Sequence, residues 1–187
     1  MSPKPLPSER LEKRLARVAR ETGVDQERLR RWVSFLALCG VLERAVSEHI
    51  LDVYHLKGGA AMELRFGLRA RATKDLDLGL IGNRSRRLAI LGDVLRLTFD
   101  EFSFRLKAPV RQFDRADTVR VEIAVQYRTR SWQTIEVDLG PSTTDHADLV
   151  DPHVQGLAEL GIPVTSSGAV FGIGGPSGAE APRADRP

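Results

Sequence analysis

Along the first quarter of the chain the apolar positions recur with helical spacing. Over residues 8–21, SERLEKRLARVARE, Leu11, Leu15, Val18 and Ala19 fall on one face. Ser8 is a suitable N-cap after the extended lead-in set by Pro5 and Pro7. Thr22, Gly23 and Val24 interrupt the pattern, and Asp25 can cap a second helix over about 26–47. In that helix Leu29, Trp32, Val33 and Leu36 form a stripe that Phe35, Leu38 and Leu42 broaden, as expected of a helix packed on a sheet. Further on the period falls to two. DVYHL at 52–56 reads as a short buried strand, and KDLDLGL places Leu76, Leu78 and Leu80 on one side of a strand. A helix over 84–99 would turn Leu88, Leu91, Leu95 and Phe99 the same way. Strands follow at 102–107 and at 118–127, the latter through Val119, Val121, Ile123, Val125 and Tyr127. A short turn from Arg128 to Arg130 leads into SWQTIEVDLG. The pattern predicts an α/β (α+β) fold with two N-terminal helices and further helices packed on a sheet in two layers.

The same periodicity locates the candidate chemistry. Ala60, Ala61, Met62, Glu63 and Leu64 are good helix formers, so Gly58 and Gly59 sit where a strand hands over to a helix. The N-terminus of a helix leaves backbone N–H groups unpaired, and glycine lets a phosphate approach them. The plain alternative is an ordinary strand-to-helix turn. In KDLDLGL the leucines take one face and leave Asp75 and Asp77 together on the other, and two such carboxylates repel unless a cation lies between them. The alternative there is a solvated strand face. In IEVDLG the apolar Ile135, Val137 and Leu139 leave Glu136 and Asp138 on the opposite side, so parity offers a third acid.

Composition narrows the classes. The formal charge is +3, but only five of the 28 basic residues are lysine (Lys4, Lys13, Lys57, Lys74 and Lys107) and the rest are arginine. Guanidinium groups suit phosphate and stack on bases, which fits a nucleic-acid partner; a GC-rich coding sequence gives the same bias. Arg10, Arg14 and Arg17 line one face of the first helix, either against an RNA backbone or against solvent. Cys39 is the only cysteine and lies among apolar residues, as a buried structural thiol would. The four histidines lack zinc spacing; His55, just before the glycines, is placed to shape the pocket. No apolar run reaches membrane-spanning length and MSPKPLPSER lacks the apolar stretch of a signal peptide, so a cytoplasmic location without membrane contact is expected.

The run from Lys57 to Leu78 resembles the signature of the DNA polymerase β-like nucleotidyltransferase superfamily. It is most similar to the AbiEii/AbiGii toxin family, which includes the MenT toxins. That signature reads approximately K-G-G-T-A-L, an aromatic residue, then R-x-S/T-x-D-L-D-L/F. Here Lys57, Gly58, Gly59, Ala61, Phe66, Arg71, Thr73, Asp75, Leu76, Asp77 and Leu78 supply it, with Ala60 where threonine is common. IEVDLG is similar to the family's segment for the third acid, which makes Asp138 the candidate and Glu136 the fallback. The resemblance implies a polymerase β-like core with a mixed sheet. It also implies Mg²⁺ (or Mn²⁺) held by Asp75, Asp77 and Asp138, and an NTP bound by Gly58 and Gly59 with Lys57, Arg71 and Thr73 gripping phosphate oxygens. NMP transfer to RNA is the implied activity, with the 3′ end of tRNA as acceptor and a separately encoded antitoxin as partner. Transfer of a nucleotide or phosphate to a protein hydroxyl is an alternative, as is an inactive fragment that only binds nucleotide, RNA or antitoxin.

The resemblance is expected to span a nucleotidyltransferase domain at 8–160, with helices at 8–47 and a catalytic core at 52–140. Residues 161–187 are rich in glycine and proline and read as a disordered tail. Related toxins continue instead into a helical region bearing a lysine and a further aspartate, whereas no lysine follows Lys107 here. A truncation or frame change, or an unusual short form, would account for that departure.

Overall fold

The fold is described from a computed structural model, over residues 8–112, 117–142, 148–149, 160 and 170–171. Helices α1 (Ser8–Thr22) and α2 (Gln26–Ser47) come first, and Gly23 between them takes a left-handed φ of 72°. The side chain of Asp25 accepts a hydrogen bond from the N–H of Arg28 at 3.0 Å, which caps α2 as its position predicts. Strand β1 (Tyr54–Lys57) runs directly into α3 (Gly58–Phe66), and β2 (Asp75–Leu80) follows after a short loop. Then come α4 (Arg84–Val94), β3 (Phe102–Gln112), β4 (Val119–Tyr127) and β5 (Arg130–Pro141), with short strands β6 (Asp148–Leu149) and β7 (Val170–Phe171).

The strands form one mixed sheet in the order β3-β4-β5-β2-β1-β7-β6. β2 pairs with β5 in parallel, and β1 pairs with β2 antiparallel. Two residues of the segment expected as a disordered tail, Val170 and Phe171, therefore lie in the sheet beside β1; the rest of that segment is outside the described residues.

Alternation along β2, β4 and β5 sorts the sheet into an apolar and a polar face. Leu76, Leu78, Val119, Val121, Ile123, Ile135, Val137 and Leu139 are all essentially inaccessible and face the helical layer. Each such side chain removed from water contributes about 1.5–3 kcal/mol, so register on this face is firmly set. α2 is buried on almost every side because it packs against α1, α4 and β5, which explains its broad apolar stripe. Its Gly40 is needed for space: a β-carbon there would stand 2.3 Å from the ring of Phe99. Cys39 is free and buried, and burial pushes its thiol pKa up.

Two boundaries differ from the pattern-based expectation. α4 ends at Val94, not near 99, because the chain reverses and Phe99 exchanges backbone hydrogen bonds with Phe102 at 3.1 and 2.8 Å. Phe99 still packs on the core, but from a turn. Strand β3 extends to Gln112, past an irregularity between Lys107 and Arg111.

Candidate active site

The three predicted acids share the polar face. In the parallel ladder Asp77 stands opposite Asp138 and Asp75 opposite Glu136. Gly58 begins α3 at the end of β1, next to Asp77: a β-carbon on Gly58 would lie 1.9 Å from Asp77 Oδ2. With a φ of 62° as well, position 58 requires glycine for conformation and for space. A pocket of about 330 Å³ opens here, with Lys57, Gly58, Asp77, Thr118, Asp138 and Gly140 among its lining.

The start of α3 differs from those of its neighbours. Asp25 caps α2 and Asn83 caps α4 through side-chain acceptors, whereas Lys57 at the N-cap of α3 gives no side-chain cap. Among the described residues the start of α3, which lies beside the pocket, thus has no side-chain cap. Lys57 donates from Nζ to the carbonyl of Pro141 at 3.0 Å, and burial lowers its pKa although Asp77 acts to raise it. His55, two residues earlier on β1, lies 2.5 Å from the hydroxyl of Ser142 through Nδ1. Its pKa is lowered by burial and by the charge of Lys57.

Thr73 and Gly59 also shape the acid cluster. Thr73 donates from Oγ1 to Asp75 Oδ1 at 2.8 Å and fixes that carboxylate, and a β-carbon on Gly59 would press on Thr73 at 2.8 Å. Arg71 is exposed on the loop before β2 and is not part of the pocket lining. Asp138 is the more buried of the two acids on β5, its side chain 16% exposed against 46% for Glu136.

Three residues in or behind this arrangement were not anticipated. Arg120, on β4, inserts a guanidinium among the acids. It donates from Nε and Nη2 to the two oxygens of Asp138 at 2.7 and 2.6 Å, from Nη2 to Asp75 Oδ2 at 3.0 Å, and from Nη1 to Glu136 Oε2 at 3.3 Å. These bonds, that to Asp138 foremost, raise the pKa of Arg120. Glu63, 1% exposed on α3, accepts from Arg28 Nε at 2.6 Å, from Trp32 Nε1 at 3.0 Å and from the N–H of Thr73 at 2.8 Å. It therefore ties α2 to the residue that holds Asp75. Thr118 forms one wall of the pocket. The one signal for Glu63 in the sequence is that it sets a charge on the side of α3 that also carries Ala60 and Leu64.

The donor set suits a hard divalent cation. Burial, then the charges of Asp138 and Asp75, raise the pKa of Asp77, as expected of carboxylates crowded for a shared cation. Among the described residues no three potential ligands are already gathered around one point, and Arg120 stands between Asp75 and Asp138.

A mixed sheet with a D-x-D strand, a neighbouring acid and an adjoining glycine turn defines a nucleotidyltransferase-type core. The family model described as nucleotidyl transferase AbiEii toxin, type IV toxin–antitoxin system, matches residues 40–172, and the chain belongs to this family. It is accordingly a nucleotidyltransferase and the toxin of a toxin–antitoxin pair, with an NTP as substrate. The match takes in α3, α4 and the whole sheet, whereas α1 and most of α2 precede it. No protein with curated annotation matches the chain. Among the described residues no helix is long and apolar enough to cross a membrane.

Proposed function

We propose that the protein transfers NMP from an NTP to an RNA acceptor, the 3′ end of tRNA, with Mg²⁺ or Mn²⁺ held by Asp75, Asp77 and Asp138. The observation that carries this reading is the register of Asp77 against Asp138, beside a helix start that has no side-chain cap. A divalent cation in the site supplies neutralisation of phosphate charge and lowers the pKa of the attacking hydroxyl. The chain's own residues do the positioning. The N–H groups at Gly58 and Gly59 seat the triphosphate, and Lys57 reaches its oxygens from the pocket wall. Asp138 orients the acceptor hydroxyl for in-line attack on the α-phosphate, where the new ester bond replaces the α–β phosphoanhydride bond and pyrophosphate leaves, while Thr73 keeps Asp75 aimed. Arg71, exposed on its loop, is free of the crowding around the acids and is assigned to the outer phosphates. The RNA acceptor is supported by the resemblance to MenT-type toxins and by the arginine-rich composition.

The test is incubation of the purified chain with Mg²⁺, α-labelled NTPs and total tRNA. Label is expected on RNA and is expected to vanish in Asp77→Asn and Asp138→Asn. Label on protein would replace the acceptor with a protein hydroxyl, and intact nucleotide binding without any transfer would leave only a binding fragment. Either result overturns the proposal.

A further inference from the structure

The guanidinium of Arg120 uses the same oxygens that a metal would use. Both oxygens of Asp138 and one of Asp75 accept from it, and the other Asp75 oxygen accepts from Thr73. A divalent cation bound by Asp75 and Asp138 would sit against a fixed positive charge on shared ligands, and like charges at such range repel strongly. Arg120 has an alternative position within reach. Glu136 lies two residues along β5 from Asp138, already 3.3 Å from Nη1 and more exposed than Asp138; across the β4–β5 ladder from it stands Glu122, an acid that Lys107 already pairs at 3.0 Å.

We propose that Arg120 is a displaceable internal counter-cation: it holds the acid cluster together before loading, competes with the divalent cation for Asp75 and Asp138, and moves onto Glu136 when the cation binds. Arg120 is thus a positioning residue whose removal tightens metal binding, the opposite of what removal of a structural support would do. Glu136 acts through Arg120 and is not itself a ligand. This inference rests on the metal site proposed above.

The test is a direct Mn²⁺ titration of the full chain without nucleotide, read by the electron paramagnetic resonance of free Mn²⁺. Arg120→Gln is expected to bind roughly tenfold tighter than the parent, and Glu136→Gln a few-fold weaker, as couplings between contacting charges of this kind run. In the Arg120→Gln background the Glu136→Gln change is expected to have no effect. Arg120→Lys retains the charge but not the two-pronged contact and is expected to fall between, so it reports even where Arg120→Gln fails to fold. Equal or weaker binding by both Arg120 variants would overturn the proposal. A Glu136→Gln effect that persists without Arg120 would make Glu136 a ligand and overturn its assigned role. Mn²⁺ binding unchanged by Asp77→Asn and Asp138→Asn would remove the metal site itself, a failure distinct from the other two.

Discussion

Asp77 Oδ2 fills the space that a side chain on Gly58 would need, 1.9 Å from the position of the missing β-carbon. The acid and the helix start are therefore fitted to each other. Gly58→Ala must both adopt a φ of 62° and push Asp77 aside. It is expected to destabilise the fold by about 2 kcal/mol or more and to abolish NMP transfer. Thermal melts and the tRNA-labelling assay check this together. A Gly58→Ala protein with parental melting temperature and activity would show that the turn tolerates a side chain.

Glu63 never touches the pocket, yet it holds Thr73 by its N–H, and Thr73 holds Asp75. Glu63→Gln leaves Arg28 without its buried anionic partner and gives the Thr73 N–H a poorer acceptor. The expected result is a loss of about 2–3 kcal/mol in stability and a roughly 10- to 100-fold fall in metal affinity or activity. Mn²⁺ titration well below the melting temperature separates the two effects. Affinity equal to the parent's would confine Glu63 to a structural role.

Much of this arrangement was readable from alternation alone. Asp75, Asp77 and Asp138 fall on one face because leucine, valine and isoleucine occupy the other, and burial of the apolar face enforces that register. The place of Arg120 was not readable, because it depends on a bulge. Near the turn β4 and β5 pair as Tyr127 with Arg130 and Gln126 with Ser131, but from Val125 onward the partners shift by one, to Gln133. Trp132 is the extra residue. It stays buried, packs its ring against Phe102 and donates from Nε1 to Ser34 Oγ at 3.1 Å. Counting from the turn without the bulge would set Arg120 opposite Val137, on the wrong rung. Glu63 escaped for another reason: its partners lie on α2 and beyond α3, 35 and 10 residues away in sequence.

Asp77 makes the stability of the metal-free protein depend on pH. Its pKa in the fold is raised above the ordinary 3.8, so the folded state holds this proton more tightly than the unfolded chain does. Stability from this group is therefore fully present below pH 3.8 and is lost as pH rises through the raised folded value. Asp77→Asn escapes that loss. Without metal it is expected to be more stable than the parent near neutrality by about 1 kcal/mol after allowance for solvent screening, and no more stable at acid pH. Added Mg²⁺ is expected to raise the melting temperature of the parent and not of the variant. Melts across pH with chelator or metal check the sign, and a variant less stable than the parent at pH 7 without metal would contradict it.

Arg87, on α4, ties the loop before α4 to the backbone just ahead of β4. It is fully buried and donates from Nη1 to the carbonyl of Gly82 and from Nη2 to that of Asp117, both at 2.5 Å, with the Asp117 carboxylate at 2.9 Å. Thr118, the pocket wall, comes next in the chain, and Arg120 two residues later. Arg87→Met replaces those bonds with an apolar chain and leaves two carbonyls without their donor. Losing two part-buried hydrogen bonds from a charged donor is expected to lower stability by about 3 kcal/mol. At roughly 2–4 °C per kcal/mol for a chain of this length, the melting temperature should fall by about 10 °C. Arg87→Lys keeps the charge but cannot span both carbonyls, so it is expected to recover only part of the loss. If Arg87→Met melted with the parent, the start of β4 would be held by other contacts, and the link between this arginine and the placement of Arg120 would be broken.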